Sequence, residues 1–191
     1  KLGVNTLTEL VALSKAKPGT INFAANARGT IPHLTAERIK SLTGADMTHI
    51  PYPGAAAGLQ DLMGGRISVI IEGLGTLLGH IQSGAIKPLA ISSLKRLPAF
   101  PDLPTVAETL PGFESTGWFA LVAPRGTPEV VIQQAHRDLN AVLETPSVKD
   151  KLASLGNIVR PMSIAETSAY IKKEQEVWRP VVKQVGFGGQ N

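Results

Sequence analysis

Residues 1 to about 92 of this 191-residue chain alternate between strand-like and helix-like segments, and this alternation is the feature that most restricts the fold. Short apolar runs typical of buried strands occur at Ile21–Ala24, Met47–Tyr52, Ile67–Ile71 and Ile86–Ser92. Helices are predicted after Thr6, from Pro32, over Ala55–Met63 and over Gly73–Ser83. Because strands joined by helices form right-handed βαβ units, we predict an α/β fold with a mostly parallel sheet covered on both faces.

The pattern changes after this region. Four prolines interrupt residues 97–113, where Thr105 with Glu108 predicts one short helix. Phe119–Ala123 then predicts a single strand. The remaining residues predict helices that begin at Thr127-Pro128, at Pro146 and at Ser163. Since a sheet cannot be built from one strand, this part of the chain is expected to need strands from elsewhere.

Composition excludes several classes of protein. Zero cysteines rule out disulfides, thiolate metal sites and cysteine nucleophiles. The net charge of +4 comes from scattered residues, which indicates a solvated surface rather than a nucleic-acid interface. No stretch approaches the roughly 20 apolar residues that span a bilayer. The chain begins with Lys1 and shows no secretory signal, so we expect a mature or trimmed fragment.

Two turns that lead from a strand into a helix are the best candidates for a binding site. They are Asn26-Ala27-Arg28-Gly29-Thr30-Ile31-Pro32-His33 and Tyr52-Pro53-Gly54-Ala55-Ala56-Ala57. The first backbone N–H groups of a helix lack intrahelical partners and lie at the positive end of its dipole, so they suit a carboxylate or phosphate. In a parallel sheet such turns lie at the carboxyl ends of the strands, where ligands bind. The alternative is that both are ordinary helix starts.

Three side chains near these turns each have two interpretations. Arg28 is suited to a forked bond with a ligand carboxylate, or it is a solvent-exposed loop arginine. Glu72 follows a strand end, where it either accepts a hydrogen bond from a ligand or interacts favourably with the dipole of the next helix. His33 fits a structural hydrogen-bonding role better than that of a general base.

Catalytic and cofactor motifs are missing from the sequence. It has no G-x-S-x-G elbow, no Walker A loop and no H-E-x-x-H. Gly73-Leu74-Gly75 lacks the third glycine of a dinucleotide-binding loop. The four histidines lie far apart in sequence. We therefore predict no catalytic residue, no metal site and no cofactor, and we expect a protein that is not an enzyme.

Five blocks, in order, resemble segments of the Bug (TctC-like) family, the periplasmic solute receptors of tripartite tricarboxylate transporters. They are Asn22-Phe23 with Gly29-Thr30-Ile31-Pro32-His33-Leu34; His49-Ile50-Pro51-Tyr52-Pro53-Gly54; Asp61-Leu62-Met63-Gly64-Gly65-Arg66-Ile67; Leu89-Ala90-Ile91-Ser92 with Pro101-Asp102-Leu103-Pro104-Thr105-Val106-Ala107-Glu108; and Gly117-Trp118-Phe119 with Gly126-Thr127-Pro128. The blocks match the C-terminal two thirds of a family member.

The resemblance implies a periplasmic-binding-protein type II fold, the Venus flytrap, in which two lobes hold a ligand between them. It implies that residues 1–116 form the second lobe nearly whole. Residues 117–191 would return to the first lobe, whose N-terminal strands have no counterpart in this sequence, and this explains the single predicted strand there.

The resemblance also implies a function and a set of site residues. The protein is expected to be a periplasmic receptor that binds a small carboxylate (a dicarboxylate, aromatic acid or amino acid) and delivers it to membrane transporter subunits of the tripartite tricarboxylate type, without nucleic acid or cofactor. The positions that match the family's carboxylate-binding turns are Asn26, Gly29, Thr30, Gly54, Ala55, Ala56 and Ala57. With Ala27, Arg28, His33, Tyr52 and Glu72 they make up the predicted ligand-binding set.

The sequence departs from the family pattern at a few positions. Ala25 and Asn26 stand where serines are common, Arg28 replaces a small or polar residue, Pro53 stands where lysine is frequent, and Ser68 replaces an aspartate. An additional arginine suits a second carboxylate or a bulkier anion. Two other functions stay open at this point: a ligand-sensing regulatory domain, and a hydrolase on a similar α/β scaffold.

Overall fold

The computed structural model describes residues 2–186, and these residues form two compact units. The first comprises residues 2–117 together with residues 179–186, and the second is Trp118–Trp178. Three strands are present in the described residues: β1 (Asn22–Ala25), β2 (Thr48–Pro51) and β3 (Val69–Ile70). The helices are α1 (Leu7–Ala16), α2 (Ile31–Thr43), α3 (Ala55–Met63), α4 (Leu74–Gln82), α5 (Val106–Thr109), α6 (Glu129–Glu144), α7 (Pro146–Ser154) and α8 (Ile164–Gln184).

The strands of the first unit form a parallel sheet in the order β2-β1-β3. In register, Phe23 of β1 lies opposite His49 of β2 and Val69 of β3. The central strand β1 is followed by α2, β2 by α3 and β3 by α4. The predicted α/β class with a mostly parallel sheet is therefore confirmed.

Capping side chains start two helices of this unit. Thr6 Oγ1 accepts from the Glu9 N–H at 3.1 Å, while the Glu9 carboxylate accepts from the N–H of Asn5 at 2.6 Å, one residue earlier than in a standard capping box. At α5 the box is complete: Thr105 Oγ1 accepts from the Glu108 N–H at 3.2 Å and the Glu108 carboxylate accepts from the Thr105 N–H at 3.0 Å. Both helix starts follow the sequence prediction.

Two apolar clusters form the core of the first unit. One surrounds β1 and comprises Leu10, Ile21, Phe23, Ala25, Ala36, Ala45 and Met47. The other comprises Leu7, Ile39, Val106 and Phe113. Helix α2 contributes Ala36 to the first and Ile39 to the second, so the helix that follows the first turn is fixed by buried side chains.

The strand predicted over Ile86–Ser92 is not formed. Only a single parallel bridge is made there, between Ile91 and Thr105. The Ile91 N–H donates to Pro104 O at 2.9 Å, and Ile91 O accepts from the Val106 N–H at 2.8 Å. Pairing stops at once because Thr105 caps α5, so the chain next to Ile91 turns into a helix.

The strand predicted over Phe119–Ala123 was also wrong. This segment has no regular structure, and the side chain of Phe119 is 95% exposed. The second unit, all of whose residues are described, contains no strand, and an extended segment without a neighbouring strand cannot form a ladder.

Helices make up the regular structure of the second unit, Trp118–Trp178. Ser163 and Glu166 cap the start of α8 reciprocally, with the Glu166 N–H 3.2 Å from Ser163 Oγ and the Ser163 N–H 2.8 Å from the Glu166 carboxylate. The indole N–H of Trp118 donates to Glu174 at 3.2 Å. None of the helices in the described part of the chain is long and apolar enough to cross a membrane.

Candidate functional site

The carboxyl ends of the three strands lie side by side in the first unit. The Tyr52 N–H donates to Ala25 O at 3.2 Å, and the Ile71 N–H donates to Ala24 O at 3.0 Å. The chain therefore leaves the sheet at three neighbouring points and enters a helix after each. Since the connections from β1 and from β2 lead to opposite sides of β1, the loop after β1 is a topological switch point, the usual place for a ligand in an open α/β sheet.

The three helices that begin at this edge have no side-chain cap. Their N-cap residues are Thr30, Gly54 and Gly73, and none makes a side-chain hydrogen bond to its own helix. First-turn N–H groups at a helix start carry partial positive charge and favour an anion. Three such starts along one sheet edge form a region suited to a carboxylate.

The first turn is closed by bonds to Ala27. Thr30 Oγ1 donates to Ala27 O at 2.8 Å, and the Thr30 N–H approaches the same oxygen at 3.2 Å. Gly29 has φ 86°, a left-handed conformation that favours glycine. The Thr30 hydroxyl therefore shapes the turn rather than capping α2. Asn26 lies beside it with a buried Oδ1 that has no hydrogen-bond partner among the described residues.

His33 connects this turn to the core. The ring is 2% exposed, and its Nδ1 accepts from the Gly29 N–H at 3.1 Å. Its Nε2 lies 3.8 Å from the Glu37 carboxylate. Burial is the main cause that lowers the pKa of His33, and the nearby His49 lowers it further while Glu37 opposes the shift. This environment fits the predicted structural role.

The structure also brings His49 to His33, which the sequence did not predict. Their ring centroids are 4.2 Å apart, and His49 Nε2 is buried without a hydrogen-bond partner in the described part of the chain. Burial lowers the pKa of His49, and the backbone oxygens of Ala25 and Asn26 oppose that shift. The parallel pairing of β1 with β2 brings His49 beside this turn, and a prediction of that strand pairing would have indicated it.

An open cleft of about 440 Å³ lies next to the two histidines. It is lined by Arg28, His33, Glu37, His49, Pro51, Gln184 and Val185. Arg28 Nη2 donates to Val185 O at 3.2 Å, just beyond the end of α8. Arg28 is exposed, as in the second of its two interpretations, and this contact also places its cation at a helix carboxyl end, where positive charge is favourable. Within residues 2–186 no group of three His, Asp or Glu side chains is placed to hold a metal ion.

The second turn leaves open space in front of α3. Gly54 has an extended backbone with φ 176°, and a Cβ added there would meet no atom within 4 Å. Ala55, Ala56 and Ala57 form the first turn of α3. Small side chains therefore leave its N–H groups accessible to a ligand oxygen.

Tyr52 begins the second turn, and its side chain is held by other residues of the protein. Its hydroxyl donates to the Asp61 carboxylate at 2.6 Å, and the same carboxylate accepts from Arg66 Nε at 2.8 Å. The hydrogen bond to Asp61 raises the pKa of Tyr52, and the bond from Arg66 lowers the pKa of Asp61. The Tyr52 hydroxyl is thus held by protein groups, while its ring lies beside Gly58, where an added Cβ would be 3.6 Å from Tyr52 Cγ.

Glu72 lies at the third helix start. Its carboxylate accepts from the Gly73 N–H at 3.0 Å, so a protein carboxylate already occupies the position next to α4. This is the helix-dipole alternative considered for Glu72. The helix starts that stay open to a ligand are therefore those of the first two turns, which the sheet places next to each other.

Comparison with known proteins decides the family. The sequence profile described as "Tripartite tricarboxylate transporter family receptor" (TctC) matches residues 2–187. The chain belongs to this TctC family. Among curated relatives, Protein BugT of Bordetella pertussis is 37% identical over 187 residues, which are 97% of this chain and 57% of that protein. A UPF0065 protein of Pseudomonas sp. strain P51 is 29% identical over 178 residues, 92% of this chain and 53% of that relative.

Solved structures of TctC-like proteins match over the same length. An R. palustris protein solved with adipate is 32% identical with a TM-score of 0.85, covering 97% of this chain and 62% of that one. MatC from Rhodopseudomonas palustris, solved with bound malate, is 25% identical with a TM-score of 0.80, covering 95% and 63%. These matches confirm the predicted TctC fold class, that of periplasmic binding proteins. The chain spans 57% of the length of its BugT relative and 53% of the Pseudomonas one.

Proposed function

We propose that this chain carries one side of a carboxylate-binding cleft in a periplasmic receptor that is not an enzyme and delivers its ligand to a tripartite tricarboxylate-type transporter. The observation that carries the proposal is the set of helix starts without side-chain caps at the switch point of the sheet, Thr30 and Gly54 above all. Adipate and malate, found with two matching structures, are both dicarboxylates. A small dicarboxylate is therefore the proposed ligand class.

In the proposed mechanism, the first turn and the N–H groups of Ala55–Ala57 bind one carboxylate of the ligand. Residues 1–116 act as the second lobe and residues 117–191 as part of the first. Closing the lobes excludes water and strengthens these hydrogen bonds. A ligand that binds the closed form better stabilises that form. In this proposal the closed form is the one that docks on the membrane subunits.

Calorimetry with a panel of small carboxylates tests the function directly, using the protein expressed from its native reading frame. One or a few acids are expected to bind with micromolar or better affinity. Flat titrations for every acid would overturn the proposal.

Two variants test the site itself. Ala56→Asp places a negative charge in the first turn of α3, where it favours the helix but repels a ligand anion, so we expect retained stability and more than about tenfold weaker binding. Gln60→Glu adds the same charge farther along α3 and is the matched control, expected to bind nearly as the wild type does. Equal affinity of both variants would place the ligand elsewhere.

A further inference from the structure

One hydrogen bond joins the first turn to a buried titratable ring. The Gly29 N–H donates to Nδ1 of His33 at 3.1 Å, and His33 is 2% exposed. Because Nδ1 accepts this bond, the neutral ring carries its proton on Nε2. A proton added to Nδ1 turns the acceptor into a donor that faces another donor. The bond therefore exists only while His33 is neutral.

This bond acts on the residue that gives the first turn its shape. Gly29 has φ 86°, and the turn is otherwise closed by the bonds from Thr30 to Ala27 O. The N–H of Gly29 already donates to His33, so it is not available as a hydrogen-bond donor to a ligand, unlike the role predicted for Gly29. Gly29 and His33 thus support the turn that presents Asn26 and the start of α2.

We propose that His33 is a positioning residue for ligand binding: its unprotonated Nδ1 holds Gly29 in the binding conformation, and protonation of the ring releases the turn and weakens the affinity for a carboxylate ligand. This inference rests on the proposed function.

Charges from each neighbouring element act on this ring. Arg28 precedes it in the turn, Glu37 and Lys40 lie on α2, and His49 faces it from β2 at a centroid distance of 4.2 Å. Lys40 pairs with the Glu37 carboxylate at 2.8 Å, which reduces the support that Glu37 gives to a charged His33. Burial with these cations holds the pKa of His33 below its ordinary 6.5. The release is therefore expected only below pH 6.5, with the turn intact at neutral pH.

Nuclear magnetic resonance tests the bond without any ligand. The ring nitrogens of His33 and the amide of Gly29 are followed in the wild-type protein from about pH 8 to pH 5, a range that brackets the ordinary histidine pKa. The Gly29 amide is expected to lose its hydrogen-bonded shift with the midpoint of His33. An amide that does not respond while His33 titrates would overturn the proposal.

Affinity for adipate, measured across the same pH range, tests the consequence for binding. His33→Asn offers an amide oxygen to Gly29 but does not titrate, so its affinity is expected to fall less in acid than that of the wild type. Protonation of adipate itself affects both proteins equally and cancels in this comparison. His49→Gln removes the neighbouring ring and leaves the Gly29 bond, so it should keep the steeper wild-type profile.

The outcomes separate the two proposals. Identical pH profiles of wild type and His33→Asn would overturn the role of His33, although binding itself would uphold the proposed function. Failure of adipate and every other panel acid to bind at neutral pH would overturn the proposed function and, with it, the effect on binding. The Gly29 amide in the wild type needs no variant, so a His33→Asn protein that fails to fold leaves that test intact.

Discussion

Residues 2–117 and residues 118–178 both contain helices, but they differ in how far their apolar side chains are buried. In the first region Phe23 and Phe113 are at most 1% exposed. In the second, all of which is described, Trp178 at 9% exposure is the only buried side chain, while Phe119 is 95% and Val130 72% exposed. The first region has a sheet on which its helices pack, and the second has none.

The comparison shows what a sheet contributes to a helical segment. An amphipathic helix gains stability mainly when its apolar face is covered. Helix α2 covers that face against β1, whereas α6 leaves Val130, Val131 and Val142 more than half exposed. The stability of the 191-residue chain is therefore expected to reside in residues 2–117.

The largest difference in stability between the two regions is expected when one phenylalanine is truncated in each. Phe23→Ala removes a fully buried ring from the cluster around β1 and should lower the free energy of unfolding by about 3–5 kcal/mol. Phe119→Ala, at 95% exposure, should change it by less than about 0.5 kcal/mol. Urea denaturation of both variants measures the difference. Equal losses would contradict the contrast between the regions.

A smaller effect is expected from filling the space beside a helical glycine. A Cβ at Gly58 would lie 3.2 Å from Ala24 Cβ and 3.4 Å from Ile70 Cδ1, so Gly58→Val should cost about 1–3 kcal/mol through overpacking of α3 on the sheet. A Cβ added at Gly79 in α4 would meet no atom within 4 Å, so Gly79→Val is the matched control. If the two variants unfold at the same urea concentration, α3 is not packed as closely as described.

Helix caps sharpen the comparison further. Thr105 is buried and caps α5, so Thr105→Ala should lower the free energy of unfolding by about 1 kcal/mol. Ser163→Ala removes the exposed cap of α8 in the second region and should reduce the helix content measured by circular dichroism more than the free energy of unfolding. A larger global loss for Ser163→Ala would reverse the proposed division of stability.

The smallest expected effect is a dependence of stability on pH. Because the pKa values of His33 and His49 are lowered in the folded protein, the unfolded chain binds more protons below its ordinary 6.5 and stability falls as pH decreases from there. Glu108, with a pKa of about 2 against 4.5, loses its contribution only as pH falls from 4.5 towards 2. The urea midpoint should therefore decrease in two stages.

A double variant assigns the upper stage of that pH dependence. His33→Asn with His49→Gln should flatten the midpoint between pH 6.5 and 4.5, the interval between the two ordinary values. His136 lies in the second region and does not belong to this histidine pair, so His136→Gln should leave the upper stage of the pH dependence unchanged. An upper stage that survives in the double variant would contradict the assignment.

Local signals in the sequence predicted most elements of the fold. Pro32 marks α2, and the span Ala55–Met63 agrees with α3 at both ends because a glycine flanks each. The two wrong strands have a common cause. Apolar composition at Ile86–Ser92 and Phe119–Ala123 favours an extended chain, but a strand also needs a partner, and partners are decided by tertiary structure.

The candidate site was predicted as residues but not as contacts. The turns at Gly29 and Gly54 lie where the parallel sheet requires them. The approach of His49 to His33 and the bond from Arg28 to Val185 O join residues 16 and 157 positions apart, which no local pattern encodes. Sequence spacing thus located the two turns proposed as the carboxylate site, while packing decided which side chains contact them.

The most direct test of the central claim maps a dicarboxylate onto the backbone amides of the 191-residue chain. Adipate titrated in steps to millimolar concentration at pH 7.5 should shift the amides of Thr30 and Ala55–Ala57 progressively and leave those of α6 unchanged. Ala56→Asp should abolish these shifts. Shifts confined to other parts of the sheet edge or to residues 118–178, or none at all together with flat calorimetry, would contradict the assignment of the two turns as the carboxylate site.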